Sequence, residues 1–511
     1  MGSNVSESVR HTRVLIVGAG FAGLGMALQL TRRGRRDFLI LEQADAVGGT
    51  WRQNTYPGCE CDIPSVLYSY SFAPKTDWTS SHAGQSEILD YLTELTERHG
   101  LRDHLQFGTE VAGARWDETD CRWHVFDKSG REFVAQYLVV ASGALNVPRI
   151  PRIPGAETFA GASMHSAAWR DDVDLTGKRV ALIGTGASGI QLAPHLAERA
   201  AELTVFQRTP AWILPRRRFR TAVAASRRST LARNLFRAAT YWGGEALGVG
   251  LGRPRLLERT QNRALAHLRK QVHDAVLRDA LTPDYRIGCK RILRSNDFYP
   301  TLARPNTTLV TDPITAIHPS GIETADGTRH DVDVIVYATG FRVAGALNRM
   351  NLVGRGGVSL LERWQQDGVR THLGVTMSGM PNAFFLSGPN TGLGHNSVIV
   401  MIEAQIAHAL DAMRLAEESG AGTVEVRAAA QDAFDSSLRE RLSRGVWSTG
   451  GCASWYLDAR GSNHALWPGT SWDYRRRTRV VDPADYQLLR AESPRGLTTP
   501  KNGWTRSDAR C

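Results

Sequence analysis

Two stretches of this sequence place glycines and charged residues at spacings suited to holding a dinucleotide for redox chemistry. In "RVLIVGAGFAGLGMALQL" the apolar run Val14 to Val17 leads straight into Gly18-x-Gly20-x-x-Gly23. Gly18 permits a tight turn, Gly20 lets the backbone approach a pyrophosphate, and Gly23 allows a helix to pack closely on a strand. The phosphates would sit on the helix N-terminus, where unpaired N–H groups and the dipole favour anions. A second apolar run, "FLILE", ends in Glu42 at the distance where this fingerprint places a ribose-binding acid.

The pattern recurs in "KRVALIGTGASGIQLAPHLA", where the run Val180 to Ile183 precedes Gly184-x-Gly186-x-x-Gly189, with Thr185 and Ser188 in the same turn. The strand after it, "ELTVFQRT", ends in Arg208 and Thr209 rather than in an acid. A carboxylate there would accept from a free 2′-hydroxyl, whereas a cation accommodates a 2′-phosphate, so this second fold is expected to take NADPH. Two such folds in one chain predict a flavoprotein that holds FAD and receives hydride from a nicotinamide.

The elements that must position these groups are those of an α/β protein. "YLVVASG" and "VDVIVYATGF" read as strands returning past a nucleotide site, and "NAFFLSGPNTGLGHNS" reads as a final strand and turn brought back to the first fold. The expected architecture is two Rossmann-like dinucleotide-binding domains, for FAD and NADP, with a helical insertion. The FAD domain covers residues 1–145 and 380–511, and the NADP domain covers 146–379 and carries the insertion at 216–285.

Composition sets bounds on partners. A chain of 511 residues, 42% hydrophobic and 22% charged, has ample material for several cores. The net charge of +11 is concentrated: from Arg216 to Lys270 fourteen Lys and Arg face only Glu245 and Glu258, a local +12. Leu231, Leu235 and Trp242 in this block have the spacing of an amphipathic helix, read as a solvated insertion, with a docking face for an anionic partner or membrane surface as the alternative. Nucleic-acid signatures are absent, and no apolar run is long enough to span a bilayer, so neither nucleic-acid binding nor membrane association is expected. The opening "MGSNVS" fits a loose N-myristoylation pattern and is read as a disordered start, without the apolar core of a signal peptide. Six cysteines are too few and too scattered for a disulfide framework, which points to a reducing cytoplasm. No metal site is expected.

Between the two folds lies "FAGASMHSAAWR", which has neither the period of a strand nor a clean helical face. Its Phe159-x-Gly161-x-x-x-His165-x-x-x-Trp169 resembles the fingerprint of type I Baeyer–Villiger monooxygenases, with Arg170 departing from the usual Pro or Asp. Flavin-containing N- and S-monooxygenases share much of the pattern but end it in Phe or Tyr. The resemblance extends to "GGTWRQNTYPGCECD", with Gly48, Gly49, Trp51, Tyr56, Pro57, Gly58 and Asp62 in matching places, and to "GCKRIL" and "ASWYL".

The resemblance implies a hinge formed by Phe159, Gly161, His165 and Trp169, and cofactor contacts from Gly49, Trp51, Asp62, Tyr68, Lys290 and Trp455. It also implies catalysis by Arg291 with Asp62. The expected reaction inserts one oxygen atom of O₂ beside a ketone carbonyl through a C4a-peroxyflavin, giving an ester or lactone. The expected enzyme is a monomer acting on a small-molecule ketone. Three alternatives stay open. An N- or S-monooxygenase is disfavoured by Arg291 and Trp169. A flavin disulfide reductase would need a redox pair that Cys59-x-Cys61 does not space correctly. A non-catalytic, NADPH-binding redox flavoprotein would act through the basic block.

Overall fold

The apolar runs ahead of the two glycine motifs become the central strands of two separate sheets. The computed structural model describes residues 9–342, 347–458 and 460–489; the opening "MGSNVS", Cys511 and the end of the chain lie outside the described residues. Arg10–Val17 pairs in parallel with Phe38–Leu41 on one side and Glu132–Val140 on the other. Leu15 and Ile16 are wholly buried. Parallel strands covered on both faces read as continuous apolar runs, which is why "VLIV" and "FLIL" show no alternation.

From edge to edge the first sheet runs 351–353, 111–117, 122–127, 132–140, 10–17, 38–41 and 105–106, and Ala383–Phe385 also pairs with Glu132–Val140. Asn351–Val353 lies against Val111–Asp117, and Met350, Leu352, Leu360 and Trp364 pack into the core beside it. The chain therefore rejoins the first sheet well before the expected boundary at residue 380. A three-residue strand carries no period of its own, so its sheet is set by packing.

The second sheet is parallel throughout, in the order 307–310, 202–206, 179–183, 334–337 and 162–165. Its edge strand Ala162–His165 lies inside the stretch that shows no strand period, a correction to that reading. Here Val334–Tyr337 supplies the register. The helical block sits between the paired strands Ile213–Leu214 and Leu293–Arg294 and comprises Arg220–Arg228, Thr230–Gly252, Glu258–Gln271 and Ala275–Ala280. Tyr486–Leu489 pairs with Thr423–Val426, so order persists to the last described residues. No described helix is long and apolar enough to cross a membrane.

A disulfide joins Cys289 to Cys452, while Cys59, Cys61 and Cys121 are free. Among the described residues this is a single bridge rather than a disulfide framework. The partners are 163 residues apart, a separation that spacing arithmetic does not see.

Candidate active site

Both glycine turns have the geometry that the motif demands. Gly18 has φ +105° and Gly184 φ +108°; a Cβ on them would lie 2.7 Å from the Ala141 carbonyl oxygen and 2.6 Å from that of Ala338. A Cβ on Gly23 would fall 1.8 Å from the Gly18 carbonyl oxygen, and one on Gly189 would fall 2.1 Å from that of Gly184. No L side chain fits at these four positions. Gly20 and Gly186 cap the helices Phe21–Arg32 and Ala187–Arg199 with no side-chain cap bond, unlike Ser229, Ser397 or Thr470 on other helices. Two helix N-termini uncapped by side chains, beside backbone stripped of Cβ atoms, fit a dinucleotide pyrophosphate.

The surroundings of the two turns differ. At the first, Gly49 closes over Gly20, its Cβ position 3.0 Å from the Gly20 Cα. Glu42 is buried and accepts from the Ala19 N–H at 2.7 Å and the Ala44 N–H at 2.9 Å, so its carboxylate braces the turn from beneath. Trp51 donates from Nε1 to the Tyr68 hydroxyl at 3.2 Å, and the Tyr68 ring packs edge-on against both Trp51 and Phe21. At the second turn nothing lies within 4 Å of a Cβ on Gly186. Thr185 is buried, with its hydroxyl 3.5 Å from Gln207 Oε1, and Ser188 is half-buried. Arg208 is exposed and Thr209 half-buried. Burial and the Arg208 charge lower the Lys290 pKa, and Lys290 Nζ lies 4.9 Å from the Tyr285 ring centre. The Arg208 charge is thus felt at Lys290, on the side of the second turn.

The segment from Tyr56 to Asp62 is clamped between the folds. The Tyr56 hydroxyl donates to Gln191 Oε1 at 2.8 Å, Gln191 donates back to the Glu60 carbonyl at 3.0 Å, and Glu60 pairs with Arg216. Gly58 has φ +78°, and a Cβ there would meet the His195 ring at 2.5 Å. This clamp presents Asp62 to Arg291, whose Nε and Nη2 donate to the two carboxylate oxygens at 2.7 Å each. Arg291 Nη1 reaches the Leu393 carbonyl at 3.3 Å. Burial pushes the Asp62 carboxyl up, and the Arg291 guanidinium outweighs this and holds it below the ordinary value. In return the Asp62 charge holds Arg291 above its ordinary value against the cost of burial. The side chains stay 30% and 25% exposed, enough to meet a ligand.

The sequence between the folds is an edge strand with a bracing histidine. His165 Nδ1 accepts the Ala167 N–H at 3.0 Å, which leaves Nε2–H to donate to the Gly340 carbonyl at 3.1 Å. Burial lowers the His165 pKa, so the ring is neutral. That same Gly340 carbonyl accepts from the Arg149 N–H at 2.8 Å, where residues 147–149 cross 339–342. A Cβ on Gly161 would lie 2.2 Å from the Asp333 carbonyl oxygen. Phe159 packs on one face of the second sheet, and Trp169 packs into the cluster that also holds Tyr56 and Cys59.

Trp455 is half exposed, its ring centre 4.4 Å from that of Tyr456. Tyr456 is the residue that sequence reasoning missed, although it directly follows Trp455 in "ASWYL". It is buried, lines a narrow cleft with Arg291, Lys290 and Leu251, and burial pushes its hydroxyl up to about 12. The Cys289–Cys452 bridge ties the Arg291 segment to the Trp455 segment. Cys59, pushed up to about 11 by burial, and the wholly buried Cys61 are not a reactive dithiol.

A family profile described as "Pyridine nucleotide-disulphide oxidoreductase" matches residues 15–235. A Baeyer–Villiger monooxygenase of Pseudomonas aeruginosa is 44% identical over 494 residues, covering 94% of this chain and 92% of the relative. One from Streptomyces coelicolor is 44% identical over 485 residues, covering 94% and 93%. Among solved structures, an oxidized steroid monooxygenase bound to NADP superposes with a TM-score of 0.83 at 32% identity, over 94% of this chain and 100% of that one. At this identity and coverage, and with both nucleotide folds in place, the chain belongs to the Baeyer–Villiger monooxygenase family.

Proposed function

We propose that the Arg291–Asp62 pair is the seat of ketone oxygenation, with FAD held by the first fold and NADPH by the second. As a member of its family the chain is a flavin-dependent, NADPH-consuming monooxygenase of the Baeyer–Villiger type. Gly18, Gly20, Gly23 and Gly49 would hold the FAD pyrophosphate, Glu42 its ribose side, and Trp51 and Tyr68 its ring system. Gly184, Thr185, Gly186, Ser188 and Gly189 would hold the NADPH pyrophosphate, Arg208, Thr209 and Lys290 its 2′-phosphate, and Trp455 its nicotinamide side. When bound, NADPH supplies two electrons and FAD supplies the activation of O₂.

The chain's own part is electrostatic. A guanidinium is charged at every working pH, so Arg291 offers a fixed positive charge to the oxygen that gathers negative charge when a ketone carbonyl is attacked. Asp62 fixes the plane of that guanidinium through two bonds and moderates its charge. Tyr456 keeps its proton across the neutral range and can donate a hydrogen bond into the same cleft. The stretch Phe159 to Trp169 couples the folds, because His165 grips the crossing at Gly340. We read the enzyme as a cytoplasmic monomer acting on a small-molecule ketone and O₂.

The observation that carries this reading is the bidentate, partly exposed ion pair at the seam of two nucleotide folds. The test is product analysis by mass spectrometry with NADPH, isotopically heavy O₂ and a panel of cyclic, linear, aromatic and steroid ketones. One heavy atom should appear in an ester or lactone. NADPH oxidation that yields only hydrogen peroxide with every ketone would favour the non-catalytic reading, and oxygenated amines or sulfides alone would favour the N- or S-monooxygenase.

A further inference from the structure

The helix Thr230–Gly252 shows a row of large apolar residues outward. Its inner side carries small and polar groups, with Leu247 and Leu251 packed into the core at its C-terminal end. A Cβ on Gly244 would meet the His395 carbonyl oxygen at 2.8 Å, and one on Gly248 would meet the His395 ring at 2.7 Å. Between them Glu245 is buried, accepting from Asn396 Nδ2 at 2.7 Å and Ser471 Oγ at 2.6 Å. Arg237 donates to the Val66 and Ser69 carbonyls. The outer side carries Leu231 (70% exposed), Leu235 (62%), Trp242 (56%) and Val249 (42%). Steps of four, seven and seven residues keep these on one face. Every other exposed residue between them is Ala or Gly except Asn234, so no charge interrupts the face. A helix that is already packed through Gly244, Gly248 and Leu251 and still shows Leu, Trp and Val to solvent carries a second apolar face with no partner among the described residues.

The surroundings say what covers it. Exposed Arg220, Arg227 and Arg228 precede the helix and Arg253 and Arg255 follow it. Of the two acids in the block, Glu245 is turned inward, leaving Glu258 against this positive field. Beside it the helix Ser471–Thr478 is joined through Ser471 to Tyr241, and adds Trp472, 51% exposed, with Arg476 over its ring. A second copy of the chain on this face would set two strongly basic surfaces together, which like charges oppose. An anionic lipid surface meets both halves of the pattern, apolar stripe and basic rim.

We propose that the outer face of Thr230–Gly252, with Trp472, docks the enzyme on anionic bilayers, the helix lying in the headgroup plane over about 27 Å between Leu231 and Val249. This reverses the expectation drawn from the lack of a spanning segment, since an interfacial helix needs none. The same helix contributes Leu251 to the Arg291 cleft, so a docked enzyme sits with its site near lipid-dissolved molecules.

Co-sedimentation of the FAD-loaded enzyme with vesicles tests this. It should pellet with mixed phosphatidylcholine–phosphatidylglycerol vesicles at low salt, be released by high salt, and stay in solution with phosphatidylcholine alone. Leu235→Glu and Trp242→Glu should each lower partitioning about tenfold or more and leave ketone turnover in vesicle-free solution unchanged. Absence of wild-type binding to the anionic vesicles, or equal binding by the two variants, would overturn the proposal. So would a dimer in sedimentation equilibrium that Leu235→Glu dissolves, which would give the face to a second copy.

Discussion

The two nucleotide folds are near copies at their glycine turns and opposites in their surroundings. Gly18 and Gly184 differ by three degrees in φ (+105° and +108°), and each sits against the carbonyl that ends a neighbouring strand. Around them the first fold is closed by Gly49, Glu42 and an aromatic wall, whereas the second opens to solvent at Gly186 and presents exposed Arg208. A closed site suits a cofactor that stays through many turnovers, and an open one suits a cofactor that arrives reduced and leaves oxidised. The backbone turn is common to both; what lies at the end of the next strand, buried Glu42 in one fold and exposed Arg208 in the other, is where they part.

The largest effect should come where the folds meet. Arg291→Ala should still bind FAD and NADPH, because neither turn depends on it. Ester formation should fall by about 10²–10³ or more, the usual loss for one group stabilising a developing oxyanion, with the remaining NADPH consumption appearing as hydrogen peroxide. Lys should rescue poorly, since an ammonium cannot make two parallel bonds to Asp62. Ester yield at wild-type level in Arg291→Ala would move the chemistry away from the seam.

Paired glycine variants test whether the turns serve different cofactors. Gly23→Ala and Gly189→Ala each drive a methyl into a carbonyl oxygen, a clash that costs about 1–3 kcal/mol when the backbone shifts to admit it. The first should purify largely without flavin absorbance. The second should keep its flavin and bind NADPH about tenfold more weakly or worse. Loss of flavin from both would mean that the turns are coupled rather than separately loaded.

Arg208→Ala gives a smaller and cleaner change. One charged contact to the 2′-phosphate is worth about 1.5–3 kcal/mol, so KM for NADPH should rise about tenfold to a hundredfold while NADH use barely moves. Equal losses with both nucleotides would leave Lys290 as the discriminating cation.

Legibility in the sequence followed locality. The glycine turns could be read because each requirement lies within a handful of residues: a positive φ at Gly18, a missing Cβ at Gly23. Asp62 and Arg291 are separated by more than two hundred residues, and only the family resemblance connected them before the clamp at Tyr56 and Gly58 was visible. The short strands Ala162–His165 and Asn351–Val353 have too few residues to express a period, so their sheets came from partners. In the basic helix the spacing of Leu231, Leu235 and Trp242 was plain, but a hydrophobic stripe carries no sign for inward or outward. Gly244 and Gly248 carried that sign, as the face small enough to approach His395.

The smallest expected effect concerns how the two folds communicate. His165 must be neutral to accept from Ala167 on one nitrogen and donate to Gly340 on the other, and its pKa is lowered in the fold. A lowered folded pKa means the imidazole's contribution to stability is whole above the ordinary histidine value and is lost as pH falls through the folded one. In His165→Ala two neutral hydrogen bonds disappear, about 0.5–1.5 kcal/mol each, so the melting temperature should drop by a few degrees near neutral pH. The drop should shrink under acid conditions, where the wild-type ring is itself strained by protonation. A purely structural role ends there. A coupling role adds a kinetic signature: the crossing at residues 147–149 and 339–342 loosens, and ester formed per NADPH consumed falls by a few-fold with FAD still bound. Unchanged coupling beside a lower melting temperature would assign His165 to the edge of the second sheet alone, leaving coupling to other contacts such as the clamp at Tyr56 and the Asp62–Arg291 pair.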